Sequence, residues 1–147
     1  AWFAVSRLSV YYANQNRDAM SLAVRWALAH LEAPIVAGNW EAVNAASAEL
    51  SQMAGIRITI TQRDGTVVAD TDADPHLMDN HVYRPEFEQA FMGQVGFADR
   101  YSDTLGHRRL YAAAPVMRDG RVLAAVRVSV PLSPGLTFAS VLREIAM

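Results

Sequence analysis

The feature that most constrains the fold is a change of hydrophobic period at Gly55. Before Gly55, apolar residues recur every three or four positions, which predicts helices; after it they alternate with polar residues, which predicts strands. Helices followed by a run of strands are typical of the α+β class. Turn signals at Asp64-Gly65 and Asp119-Gly120 predict hairpins, so we expect an antiparallel sheet with its helices gathered largely on one side.

Two helices are predicted before Gly55. The first should end near Ala33, because a proline at position 34 disfavours the α conformation of the residue before it. The second fits Asn39 to Met53, with Asn39 as N-cap and Gly55 as the residue that ends it. The first carries a heptad seam of apolar and small residues, interrupted by one glutamine, at these positions: Val5, Leu8, Tyr12, Gln15, Ala19, Leu22, Trp26 and Ala29.

This seam predicts a homodimer. It is longer than a domain of this size can cover with its own sheet, so part of the stripe should pair with a second copy of the helix. A polar residue at a seam position fixes the register of such a pair at a cost in stability. The predicted dimer surface consists of Val5, Leu8, Tyr12, Gln15 and Ala19.

The rest of the chain completes one domain, 1–147. Positions 1–54 form its helical part, 55–132 its sheet, and 133–147 a closing helix. Within the sheet, Arg84-Pro85-Glu86 predicts the start of a short helix, with proline at the first helical position and glutamate near the positive end of the helix dipole. The predicted strands cover 56–61, 66–69, 96–102, 108–117 and 121–130.

Composition excludes several classes of function. The net charge is −2 and no basic patch is visible, so the chain is not expected to bind nucleic acid. Cysteine is absent, which excludes disulfides and thiolate ligands. Neither end holds the roughly 18 apolar residues of a membrane span. A helical pattern is already under way at Ala1 and another is unfinished at Met147, so we expect a piece of a longer protein whose spans lie outside it.

The stretch after the second predicted strand is acidic, and its aspartates are candidate metal ligands. Asp70, Asp72 and Asp74 fit the first, third and fifth ligand positions of a calcium-binding EF-hand loop. Pro75 stands where that loop needs glycine, and His81 stands where it needs a bidentate glutamate. We therefore predict no metal site.

Enzymatic readings find as little support. Histidines at positions 76 and 81 match no established ligand spacing. The chain has no nucleophile-elbow motif and no glycine-rich phosphate loop, so no catalytic residue and no cofactor are predicted.

In the acidic stretch, aspartate, asparagine and threonine are expected to satisfy backbone groups in turns. We expect Arg84 to bond to Asp70, Asp72 or Asp79, within a structural loop made of Asp70, Asp72, Asp74, Asn80, His81 and Arg84.

From Asp64 onward the motifs form an ordered series: "DGTVVADTDADPHLMDNH", "RPEFEQAFMG", "RYSDTLGHRRLYAAAPV" and "GRVLAAVRVSVPL". The series resembles the extracytoplasmic PAS-like (single-Cache-like) sensor domain of membrane sensor histidine kinases, of the type found in phosphate-regulon sensors. The resemblance covers nearly half of the chain closely. It implies a five-stranded antiparallel sheet, a long N-terminal helix that continues from one membrane span, and a C-terminal helix that leads into another.

The resemblance also implies a function without catalysis. Such a domain responds to a small ligand, an ion or a partner protein and biases a cytoplasmic kinase, so the chain is expected to be the extracytoplasmic input part of a two-component sensor. The alternative is an interaction module that docks a membrane or periplasmic protein and needs no small ligand. In PAS-like folds the pocket lies between the sheet and the elements that cross it, which makes the candidate ligand-binding residues Arg100, Tyr101, Ser102, Tyr111 and Arg127.

Overall fold

The protein is described from a computed structural model that covers residues 2–102 and 107–131, with side chains from residue 16 onward apart from that of Ser102. The predicted closing helix, at 133–147, lies outside these residues. The order of elements is that expected from the sequence, with one additional 3₁₀ turn. Their bounds are α1 Trp2–Val36, α2 Trp40–Ala54, β1 Arg57–Gln62, β2 Val67–Asp70, the 3₁₀ turn Pro75–Leu77, α3 Pro85–Phe91, β3 Gly96–Ser102, β4 His107–Arg118 and β5 Arg121–Pro131.

The strands form one five-stranded sheet in the order β2-β1-β5-β4-β3, and all four pairs are antiparallel. The predicted α+β class and PAS-like sheet are therefore confirmed. At the predicted hairpin between β4 and β5, Asp119 and Gly120 take φ values of 52° and 77°. Two consecutive residues at positive φ give a turn whose twist matches that of the flanking strands, which is why Asp-Gly is favoured there.

The end of α1 differs from the prediction. The helix continues past Ala33 and Pro34 to Val36. A proline inside a helix removes one backbone hydrogen bond and clashes with the preceding turn, but in the last turn few bonds remain to be lost. Ala37 still donates to the carbonyl of Ala33 at 3.0 Å, and the chain then turns at Gly38 with φ of 69°. The helix therefore ends one turn later than predicted.

The caps of α2 are those predicted. The Asn39 side chain accepts a hydrogen bond from the backbone N–H of Ala42, which satisfies one of the free donors of the first turn. At the other end Gly55 is left-handed, with φ of 66°, and its N–H bonds to the carbonyl of Ser51. This ending places the chain directly into β1.

The main core lies between α1, α2 and one face of the sheet. The residues of α1 that it buries are Ala19, Met20, Ala23, Val24, Ala27, Leu31 and Ile35, a broader stripe than the predicted heptad seam. Of the seam positions, Leu22 is 46% exposed and Ala29 is also exposed, so neither packs in this core. A helix that packs on a sheet needs a wide apolar face, whereas a narrow seam is what a second helix needs.

The predicted dimer surface lies mostly outside the described side chains. Val5, Leu8, Tyr12 and Gln15 belong to the part of α1 for which only the backbone is described. Ala19 is described and is 2% exposed, because it packs in the domain's own core. It therefore does not belong to a surface available to a second copy in this arrangement.

A smaller core lies on the opposite face of the sheet, beneath α3. Phe87, Ala90 and Phe91 of α3 pack there on Ala113 of β4 and Ala125 of β5. One helix therefore crosses the face that the longer helices leave uncovered. The segment between β2 and β3 consequently shields the polar residues of that face from solvent.

Candidate functional site

The polar residues beneath α3 come from alternate positions of the central strands. In β5, Val126 and Val128 pack in the main core, so Arg127 between them faces the other way. In the neighbouring strands, Thr59 pairs with Arg127 across the sheet, and Tyr111 pairs with Ser129. Alternation in three adjacent strands thus produces one polar face.

Glu86 lies at the centre of this face and is completely buried. It is the second residue of α3, where Pro85 starts the helix and where a negative charge interacts favourably with the helix dipole. Both carboxylate oxygens accept hydrogen bonds from Arg100, each at 2.6 Å. Oε1 also accepts from Nη1 of Arg127 at 3.1 Å. The carboxylate therefore bridges β3 and β5.

Arg127 is held by contacts besides Glu86. It is 2% exposed, and its Nη2 donates to the Thr59 hydroxyl at 3.1 Å. Its guanidinium lies over the rings of Tyr111 and Phe87, 4.8 and 5.1 Å from their centroids. Its Nε is buried and has no hydrogen-bond partner among the described residues. The cation is thus fixed in orientation while one of its donors stays unsatisfied.

Arg100 is held in a similar way but closer to solvent. Its guanidinium lies 4.1 Å from the centroid of the Tyr111 ring, so one aromatic side chain stacks with two arginines. The side chain of Arg100 is 31% exposed. This places one end of the ion-paired group near the outer edge of the covered face.

Arg84 completes the cluster, and its partner was predicted wrongly. Within the described residues it makes no hydrogen bond or ion pair with Asp70, Asp72 or Asp79, and it provides no side-chain cap to α3. Its pKa is lowered, first by burial and then by the positive charge of the nearby Arg100. The carboxylate of Asp70 instead pairs with Arg57, at 3.1 Å, and accepts a hydrogen bond from the Thr59 hydroxyl at 2.7 Å.

The ionisation of the cluster follows from these contacts. Burial alone would raise the pKa of Glu86, but hydrogen bonds from Arg100 and the charges of both paired arginines outweigh it and hold the pKa below its ordinary value of 4.5. Burial lowers the pKa of Arg127 to about 10, so this arginine stays charged near neutral pH. Two cations, Arg100 and Arg127, therefore pair with one carboxylate, and a third, Arg84, lies near enough for its charge to act on both of them.

His81 borders the cluster and is 2% exposed. Its Nδ1 lies 2.6 Å from the carbonyl oxygen of Asp79, so the proton is on Nδ1 and Nε2 is left without a partner among the described residues. Burial, followed by the charges of Arg84 and Arg127, lowers its pKa to about 4. The imidazole is therefore neutral at physiological pH and packs edge-on against Phe87.

The acidic stretch has structural roles. Asp70 accepts from the backbone N–H groups of Asp72 and Ala73, and Asp74 caps the 3₁₀ turn by accepting from the N–H of His76. Across 2–102 and 107–131, no three histidine or carboxylate side chains are grouped so as to hold a metal ion. Asn80 ties the loop to the first hairpin by donating to the Asp64 carbonyl at 3.0 Å.

Of the candidate ligand-binding residues, the structure brings together Arg100, Tyr111 and Arg127. Tyr101 is 57% exposed and, by strand alternation, faces away from Arg100. The side chain of Ser102 lies outside those described. Sequence reasoning did not identify Glu86 or Thr59 as members of the cluster. For Thr59, its place between Ile58 and Ile60 indicated a side chain on the opposite face of the strand. For Glu86, the only informative feature of the sequence was its position after Pro85.

No protein-family model and no curated protein matches the chain. Its fold is shared with solved sensor domains. Over 98% of this chain and 54% of the other, the histidine kinase DctB sensor domain of Vibrio cholerae is 18% identical, with a TM-score of 0.51. The ligand-binding domain of the Pseudomonas fluorescens chemoreceptor CtaA, in complex with L-alanine, is 12% identical over 96% of this chain and 61% of the other, with a TM-score of 0.61.

A third structure shares this fold. The ligand-binding domain of the Campylobacter jejuni chemoreceptor Tlp3, in complex with 4-methylisoleucine, is 12% identical over 80% of this chain and 53% of the other, with a TM-score of 0.59. The chain thus spans a little over half the length of these three structures. Identities this low show the fold alone. In the described part of the chain, no helix has the length and apolarity that membrane crossing requires.

Proposed function

We propose that the domain is the signal-input part of a membrane sensor histidine kinase of a two-component system, and that it binds a small anionic molecule at the Glu86 cluster. The observation that carries this proposal is the charge of the covered face. Arg100 and Arg127 pair with a single carboxylate, the positive charge of Arg84 lies nearby, and the Nε of Arg127 is buried without a hydrogen-bond partner among the described residues. Buried positive charge is costly unless it is neutralised, so an anion is the ligand that this face favours.

The fold supports a role in sensing. The similar structures are a histidine kinase sensor domain and two chemoreceptor ligand-binding domains, one in complex with L-alanine and the other with 4-methylisoleucine. An amino acid supplies a carboxylate, which matches the charge of the cluster. We propose that the domain itself is non-catalytic and that it belongs, as the ordered motifs suggest, to the phosphate-regulon type of sensor.

We also propose the arrangement in which the domain acts. It is a single extracytoplasmic domain over 1–147, with its helical part, sheet and closing helix divided as the sequence predicts. Two copies pair through the N-terminal half of α1, whose 35 residues extend roughly 50 Å. The heptad seam at Val5, Leu8 and Tyr12 supports this pairing.

A ligand screen tests the proposal. Thermal unfolding of the wild-type domain is measured with small carboxylates, amino acids and phosphate at fixed ionic strength, and a hit should raise the midpoint. Arg100→Gln should abolish the rise because it removes a cation of the cluster. Arg108→Gln is the matched control, since Arg108 is exposed and pairs with Asp99 outside the cluster. A binding protein partner combined with no response to any small molecule would instead favour the interaction module.

A further inference from the structure

The carboxylate of Glu86 accepts hydrogen bonds from Arg100 and Arg127 in the way that the carboxylate of a bound ligand would. We propose that the position of its carboxylate is a carboxylate-binding subsite, in which Glu86 is an internal competitor for the carboxylate of the ligand. This inference rests on the proposed function for its biological meaning. The subsite itself is defined by the geometry of Arg100 and Arg127 around the two oxygens of Glu86.

The two guanidinium groups are oriented independently of Glu86. Arg127 bonds to Thr59 and stacks with Tyr111 and Phe87, and Arg100 stacks with the Tyr111 ring. Both arginines project from strands that are paired along their length in the sheet. Removing the Glu86 carboxylate should therefore leave two aligned cations with their donors directed at one vacated position. Such a pre-organised pair binds a carboxylate at a low entropic cost.

The carboxylate, in contrast, is carried by the less regular part of the fold. Glu86 is at the start of a helix of 7 residues, and the segment between β2 and that helix contains only one 3₁₀ turn. A shift of α3 would withdraw the carboxylate and would change the packing of the helix on Ala113 and Ala125, while the strands could keep their pairing. Exchange of one carboxylate for another also conserves the charge and the hydrogen bonds of the arginine pair, so the competition is between chemically equivalent acceptors.

The consequence is a coupling between ligand and helix. A ligand that takes the subsite must release Glu86 and with it the N-terminal turn of α3, which packs on Gly96 of β3 so closely that a Cβ there would meet the Glu86 carbonyl oxygen. Ligand binding would thereby move α3 relative to the sheet. Ligands without an anionic group that can accept from both arginines could not make this exchange.

Chemical rescue tests the subsite. Glu86→Ala removes the carboxylate, and sodium acetate is then titrated against the variant at constant ionic strength, with chloride as the reference anion. We expect the midpoint of thermal unfolding to rise saturably, by about 3–5 °C at tenfold excess over the apparent Kd. The wild type should respond less, because Glu86 competes. Glu88→Ala, two residues further along α3 at an exposed position, should show no rescue, and Glu86→Ala combined with Arg100→Gln should lose it.

A second measurement, on the wild type, tests the subsite if the Glu86→Ala variant does not fold. The Nε–H signals of Arg100 and Arg127 and the carboxyl signal of Glu86 are followed by NMR while acetate is added to the wild-type domain. Saturable changes at these groups, with none at Arg108, support the competition. Absence of rescue in the folded variant, or an unchanged Glu86 carboxyl signal, overturns it. Acetate rescue without any hit in the ligand screen would contradict only the proposed function, and a hit without rescue would contradict only this inference.

Discussion

The pH dependence of stability should be dominated, between about pH 6.5 and pH 4, by His81. Its pKa in the folded protein is lowered from 6.5 to about 4, because the ring is buried and lies near Arg84 and Arg127. The unfolded chain therefore takes up the proton before the folded one does. The stability contributed by the neutral ring is complete above pH 6.5 and is lost as the pH falls through this window.

The size of the effect follows from the shift. One proton bound only by the unfolded state changes the free energy of unfolding by about 1.4 kcal/mol per pH unit, so the loss across the window is about 2–3 kcal/mol. Glu86 and Asp70 also have lowered pKa values and add a loss of the same sign, but only as the pH falls towards their ordinary values of 4.5 and 3.8. The slope above about pH 5 therefore reports His81.

Urea unfolding followed by circular dichroism at intervals of pH measures the slope. His81→Asn keeps a donor for the carbonyl of Asp79 but cannot be protonated, so it should be less stable at pH 7 yet nearly independent of pH across the window. His76→Asn is the matched control because His76 is exposed, and it should retain the wild-type slope. An equal slope in wild type and His81→Asn would refute the reasoning.

Three further results are expected. Glu86→Gln should lower the free energy of unfolding by about 3–5 kcal/mol, because it leaves buried cations unpaired, and combining it with Arg127→Met should cost less than the sum of the single changes; additive costs would contradict the pairing. Gly65→Ala should cost more than Gly120→Ala by about 1–3 kcal/mol in the same assay, since both have positive φ but only the first would clash with neighbouring atoms; equal costs would contradict this. Leu8→Glu should weaken self-association measured by sedimentation over a concentration series, and a wild type that is monomeric throughout would count against the dimer.

The sequence by itself determined the elements and most of their ends. Helical and alternating periods on the two sides of Gly55 predicted the order of helices and strands that is observed. The Asp-Gly turn at 119–120, the caps of α2 and the proline at the start of α3 were also predicted correctly. These features are local, because a turn or a cap is decided by backbone conformation and hydrogen bonds within a few residues.

The tertiary structure alone decided which charges meet. Arg127 could be predicted to need a partner, since it stands between buried valines, but the partner is Glu86, 41 residues away in sequence. Arg84 was expected to bond to an aspartate of its own loop, and Asp70 is instead taken by Arg57 from the adjacent strand. Burial makes an ion pair necessary, whereas strand register and the placement of α3 select its members, and no local pattern in the chain encodes that selection.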